Sequence, residues 1–159
     1  MDKSTNNELD RAYQASLRLL TYRPRSRHQV RQRLSSHFST GAVLQVLALL
    51  EDRGYLNDVA FAMAWRESRE AHQPRSAVLI RRELQQRGVA REVADAAVAG
   101  LDEEDNAYQA GHRRTRALQR VDYVTFRRRL GDYLRRRGFR SDVVRRTLDR
   151  LWQEREKFP

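Results

Sequence analysis

The segment FRRRLGDYLRRRG carries the clearest chemical signal in the chain. Arg128 and Arg135 stand seven residues apart, and so do Arg129 and Arg136. On a helix that turns about 100° per residue, each pair stacks into a row two turns long. Phe126, Leu130, Tyr133 and Leu134 share the opposite face, so the rows point away from any core. A guanidinium is a planar fork of donors that matches phosphate or carboxylate oxygens two at a time. Solvated helix faces ordinarily mix charge signs, yet only Asp132 interrupts these rows. Such a ridge is suited to a polyanion, either a nucleic-acid backbone or an acidic protein surface. It responds to backbone charge and carries no base-reading pattern.

A second basic segment is TYRPRSRHQVRQRL. Arg23, Arg25 and Arg27 lie in an extended lead-in around Pro24. Arg31 and Arg33 follow on a helix, beside the apolar stripe of Val30 and Leu34. Arg23, Arg25, Arg27 and Arg31 form a second candidate contact set for a filament or nucleic acid, with Tyr22 as a lone aromatic neighbour. Catalytic patterns are missing. There is no cysteine, and the seven glycines make neither a GxxxxGK[ST] nor a GxGxxG loop. His28, His37, His72 and His112 are isolated and lack metal-ligand spacing. The acidic run Asp102-Glu103-Glu104-Asp105 reads as the first turn of a helix, where carboxylates complement the helix dipole. No nucleophile has an adjacent base. The expectation is a binding protein, not an enzyme, with no catalytic residues, metal or cofactor.

The elements that must position these arginines recur. The strings ELQQRGVAREV and YLRRRGFRSDV sit 50 residues apart and share a pattern of Leu, two polar residues, Arg-Gly, an apolar residue and a closing Val. A shift of 50 aligns three copies: Val30, Ile80 and Leu130; Leu34, Leu84 and Leu134; Val43, Val93 and Val143. A fixed period is the mark of a repeat architecture. Within each copy the first two positions are four apart, a helical spacing, and the Val opens a second apolar stripe. Each copy therefore reads helix, short turn, helix. Gly88 and Gly138 fall where a helix end favours a left-handed residue; copy one has His37-Phe38 there. Ser26, Ser76 and Ser141 suit helix N-caps. In RGYLNDVAFAMAW, Gly54 ends a helix, Tyr55 and Leu56 are expected to enter a core, Asn57 caps the next helix, and Phe61 and Trp65 pack inward. An amphipathic helix over about residues 9–20 precedes copy one. No stretch alternates with the period of a strand. The fold class expected is all-α: about nine helices in three tandem three-helix repeats, the last abbreviated, with an extra N-terminal helix, stacked into an elongated, curved molecule. The boundaries expected are 1–22 for the N-terminal helix and tail, then 23–73, 74–120 and 121–159 for the repeats.

Bulk composition agrees. The chain has 159 residues and a formal net charge of +11. Of its basic residues only Lys3 and Lys157 are lysines. Residues 113–146 carry 13 arginines against three aspartates, whereas residues 51–108 carry eight arginines against 12 acids. Charge segregated in this way suggests acidic partners at the basic ends. No apolar run reaches the roughly 18 residues of a membrane helix, and the N-terminus lacks a secretory apolar stretch. The expectation is a cytoplasmic chain with no membrane contact.

Several strings, taken together and in order, resemble the RecX family, regulators of the bacterial recombinase RecA. That family carries Gly-Tyr-Leu-Asp-Asp-x-x-Phe-Ala, and here stands Gly54-Tyr55-Leu56-Asn57-Asp58-Val59-Ala60-Phe61-Ala62. The opening Arg23-Pro24-Arg25-Ser26, the family's Arg-x-Glu-Leu-x-x-x-Gly-Ile string over residues 81–89, with Val89 in its last place, and Arg136-Arg137-Gly138-Phe139 are also similar. The likeness spans roughly residues 19–151. Asn57 replaces the first Asp, Phe38 stands where a glycine is usual, and Gln73-Pro74-Arg75-Ser76 lacks the glycine common before the second copy. The resemblance implies three tandem three-helix repeats without catalytic activity. It implies a monomer lying along the groove of a RecA filament on single-stranded DNA, inhibiting ATP hydrolysis and strand exchange, with single-stranded DNA itself a candidate ligand. It transfers no site residues; the arginines above come from charge geometry alone.

Two other readings compete. One is a basic helical DNA-binding protein or transcription regulator using helix-turn-helix-like pairs around Gly88 and Gly138. No candidate helix shows a base-reading set beside a dimerisation segment. The other is a helical scaffold for a different acidic protein.

Overall fold

A computed structural model describes residues 3–157. Among them the chain forms nine α-helices and no strand: α1 (Lys3–Tyr22), α2 (Arg27–Ser35), α3 (Thr40–Asp52), α4 (Asp58–His72), α5 (Ala77–Gln86), α6 (Arg91–Val98), α7 (Glu103–Thr115), α8 (Tyr123–Arg136) and α9 (Ser141–Lys157). A 3-10 turn, Arg116–Leu118, follows α7. The chain divides into two compact units. The first runs up to Ala64 and includes Glu83–Ala97; the second comprises Trp65–Arg82 and the chain from Val98 onward.

Each unit has its own apolar core. In the first, α1 and α2 pack on α3, and Val30, Leu34, Val43, Val46, Leu47 and Leu50 are buried with Ala12 and Leu56. In the second, α7 and α8 pack on α9. There Phe126, Leu130, Leu134, Val144, Leu148 and Leu151 carry the core. The aligned columns are therefore core columns: Val30, Ile80, Leu130, Leu34, Leu84 and Leu134 are all buried. Val93 is the exception, half-buried, with Ala94 and Ala97 buried beside it on α6.

The duplicated Arg-Gly turns have a packing cause. Gly88 and Gly138 adopt left-handed backbone angles, φ +77° and +88°, which glycine takes without steric cost. Both also seat on the N-terminus of a helix from the preceding copy. Ser26 Oγ donates to the Arg87 carbonyl, and a Cβ on Gly88 would stand 2.2 Å from His28 Cβ. Ser76 N donates to the Arg137 carbonyl at 3.0 Å, and a Cβ on Gly138 would stand 2.2 Å from Ser76 Oγ. In copy one the corresponding turn is His37-Phe38, and neither residue takes a left-handed backbone angle.

A second contact repeats at the same place. The first helical N–H of α2, Arg27, donates to Asp58 Oδ1 at 2.8 Å. The first of α5, Ala77, donates to Glu103 Oε1 at 2.7 Å. Asp58 and Glu103 open α4 and α7, so an acid at the start of a later helix satisfies an otherwise orphaned donor. The third copy is capped differently. Its α8 is capped locally by Asp122, which accepts from Thr125 N at 2.7 Å, and it starts earlier relative to the 50-residue period than α2 and α5.

Two local expectations are corrected. Ser141 is the first helical residue of α9, and the Arg140 carbonyl accepts from Val144 N ahead of it. Tyr55 does not enter a core: it is 57% exposed, and only Leu56 is buried. A tight turn at Gly54 leaves room for one of the two side chains to face inward. Ser26 and Ser76 do cap, accepting from Gln29 N at 3.2 Å and Leu79 N at 3.1 Å. Asn57 caps α4 through Ala60 N at 3.1 Å.

Candidate anion-binding surfaces

On α8 the expected polarity holds. Phe126, Leu130 and Leu134 are buried, while Arg128, Arg129, Arg135 and Arg136 are exposed. Arg128, Arg129 and Arg136 make no ion pair or side-chain hydrogen bond among the described residues. Arg135 pairs with Asp132 at 3.2 Å, with both side chains more than half exposed. In water such a pair contributes about 0–1 kcal/mol, so it does not commit Arg135 to the fold.

The neighbouring arginines are used differently. Arg127 donates to Tyr123 Oη at 2.8 Å and pairs with Asp149 at 3.2 Å. Arg146 pairs with Glu104 and Asp142. Arg113 donates to the carbonyls of Ala71 and His72 at the end of α4, both at 2.9 Å. Arg155 serves the Leu118, Gln119 and Val121 carbonyls after the 3-10 turn. Arg114 and Arg137 lie over the ring of Tyr133, with centroid distances of 5.7 and 4.9 Å. The basic segment thus separates into arginines that hold the second unit together and arginines that face solvent uncommitted. Arg116, Arg120 and Arg145 belong with the latter, and sequence reasoning passed over them. Runs of arginine give no local sign of which members have distant partners.

In the first unit the predicted set divides. Arg27 pairs with Glu51 at 2.5 Å. Arg23 and Arg31 are exposed, with no ion pair among the described residues. Arg25 is half-buried, with Nε donating to the Leu19 carbonyl at 3.3 Å. Burial, then the charges of Arg23 and Arg33, push its pKa below the usual guanidinium value. Arg25 lines a cleft with Arg18 and Arg33, both exposed. Neither was among the expected contacts, although Arg18 lies four residues before Tyr22 on one helical face. Among the described residues no cluster of His, Asp and Glu could hold a metal ion, and no helix is long and apolar enough to cross a membrane.

These features define an all-helical repeat protein with an arginine-rich surface. Family models for the first, second and third three-helix domains of RecX match residues 12–50, 57–98 and 102–148, in that order. The chain belongs to the RecX family, a family of regulatory proteins. It is 34% identical over 150 residues to a Streptomyces coelicolor regulatory protein RecX, covering 92% of this chain and 80% of that one. It is 36% identical over 140 residues to a Thermobifida fusca regulatory protein RecX, covering 86% and 76%. The crystal structure of RecX from Lactobacillus salivarius shares the fold, with a TM-score of 0.78 at 17% identity, over 92% of this chain and 97% of that one. The family domains group the helices as α1–α3, α4–α6 and α7–α9. The 50-residue columns begin each group one helix later; a tandem repeat can be phased either way.

Proposed function

We propose that this chain binds RecA filaments assembled on single-stranded DNA and inhibits their ATP hydrolysis and strand exchange. The observation that carries the reading is the ordered match of all three RecX domains along one chain. The solvent-facing arginines of α8 supply chemistry suited to it. A filament on DNA offers phosphates and acidic side chains, and uncommitted guanidinium groups recognise both. On this reading the chain acts in the cytoplasm as a monomer, without a cofactor.

The test is a titration into RecA filaments preformed on single-stranded DNA, with ATP hydrolysis followed over time. Inhibition at substoichiometric protein is expected, because an occupied filament blocks further growth. Unchanged hydrolysis, with retained binding to bare DNA, would overturn the proposal in favour of a DNA-binding role.

A further inference from the structure

The arginine group of the first unit forms a site of another kind from the ridge on α8. The C-terminal half of α1 and the turn after α2 enclose a cleft of about 500 Å³, within the usual range of roughly 300–1,000 Å³ for small-ligand pockets. Leu19, Leu34 and Phe38 supply its apolar lining, and Arg18, Arg25 and Arg33 its charge. No carboxylate lines it. Cations near a helix C-terminus have an ordinary role in offsetting the dipole, and Arg25 performs it for α1 through the Leu19 carbonyl. Arg18 and Arg33 remain exposed, without an ion pair or side-chain hydrogen bond among the described residues. Burial first, then Arg23 and Arg33, lower the pKa of Arg25, and no acid lines the cleft to offset the repulsion among its arginines. A bound anion would relieve it.

Charge alone would suit any anion, and the lip of the cleft narrows the choice. Tyr22 lines it and is 85% exposed, the largest exposure among the large hydrophobic side chains of the described residues. A flat ring left in water beside guanidinium groups and an apolar wall is the combination that holds a base and its phosphate together. We infer that this cleft binds a nucleotide unit, with its phosphate among Arg18, Arg25 and Arg33 and its base against Tyr22. The source is either a free nucleotide or one residue of a single strand, and both present the same chemistry. The inference does not depend on RecA, and its test contains none, so its failure leaves the filament reading standing.

The test is amide NMR of the full chain, titrated separately with thymidine monophosphate, a short oligothymidylate and inorganic phosphate, alongside fluorescence anisotropy of the labelled oligonucleotide. Shifts confined to residues of the α1 C-terminus and the α2–α3 turn are expected with both nucleotide probes. Tighter binding of the oligonucleotide identifies a strand as the source; equal binding identifies a free nucleotide. The double variant Arg18→Glu/Arg33→Glu should weaken oligonucleotide binding at least about tenfold and lower the log–log salt slope by about 1.4, two phosphates at ~0.7 each. Tyr22→Ala should weaken it about tenfold by loss of stacking, and Tyr22→Phe should restore it. All three side chains are exposed, so circular dichroism melting should match the parent. Phosphate shifting the same amides as strongly as the nucleotides, nucleotide shifts that fall elsewhere, or affinity unchanged in the double variant would each overturn the proposal.

Discussion

Gly138 and Gly88 are the residues at which one methyl group should matter most. Alanine at 138 meets two obstacles: a φ of +88° and the Ser76 hydroxyl 2.2 Å from the new Cβ. Left-handed backbone costs an L-residue about 1–2 kcal/mol, and overpacking adds about 1–3 kcal/mol. Gly138→Ala should therefore destabilise by about 2–5 kcal/mol in urea denaturation. Gly54→Ala is the matched control: φ is +75°, but nothing lies within 4 Å of its Cβ, so only the backbone cost of about 1–2 kcal/mol applies. Equal losses in the two variants would show that the close approach to Ser76 contributes nothing. Asp122 sets a pH dependence at the same scale. The hydrogen bond from Thr125 N–H holds its carboxyl below the usual carboxylate range. A depressed folded-state pKa means that the stabilisation is present above the unfolded-state value and is lost as pH falls through the folded-state one. Asp122→Asn keeps a capping oxygen without the titration. Its stability relative to the parent should rise as pH is lowered through the carboxylate range, measured by denaturation across that window.

Among the elements, the starts of α2, α5 and α8 hold corresponding places in the three copies and end up capped in different ways. The Ser26 capping box with Gln29 is completed by distant groups, the Arg87 carbonyl of the next copy and the Asp58 carboxylate at the start of α4, whereas α8 relies on its own Asp122. Ser26→Ala removes both a cap and the hydroxyl that meets the Arg87 carbonyl. A loss of about 1–3 kcal/mol is expected, read as a shift of the denaturation midpoint. Arginines divide along the same line. Arg155 reaches three carbonyls and lies over the Trp152 ring at 4.7 Å, a geometry that an ammonium cannot reproduce. Arg155→Lys should cost about 1–3 kcal/mol, while Arg128→Lys, which keeps a solvated charge, should stay within about 0.5 kcal/mol. Similar losses from both would contradict the division into structural and uncommitted arginines.

At the scale of the molecule, the net charge of +11 overstates the cationic surface free for a partner, because ion pairs and carbonyls already engage part of it. What remains on α8 should decide how the chain responds to salt. Reversing Arg128, Arg129, Arg135 and Arg136 to Glu should weaken inhibition of RecA ATP hydrolysis and flatten its dependence on ionic strength, since fewer counterions are released on binding. Inhibition as strong and as salt-sensitive as the parent's would remove the ridge from the proposed mechanism. Helix content by circular dichroism should not change, because these side chains face away from Phe126, Leu130 and Leu134.

The repeat, the helices and the outward face of α8 were legible in the sequence because each depends on residues a few positions apart. Val30 with Leu34, or Leu130 with Leu134, declares a buried helical stripe through spacing alone, and the 50-residue recurrence declares the copies. Tyr55 shows the limit of such reasoning: an aromatic beside a buried Leu56 reads as core, and only the path of the turn turns it outward. The reason for the Arg-Gly turns was equally hidden. It lies in the approach of Gly88 to His28 and of Gly138 to Ser76, pairs about 60 residues apart in the chain. The fate of each arginine was decided in the same way. Arg146 finds Glu104 and Arg113 finds His72 across some 40 residues, while Arg18, Arg25 and Arg33 gather at one cleft with no acid among them. Local spacing determines which way a side chain points; what it meets there is set by segments distant in the chain, and only the tertiary structure brings those together.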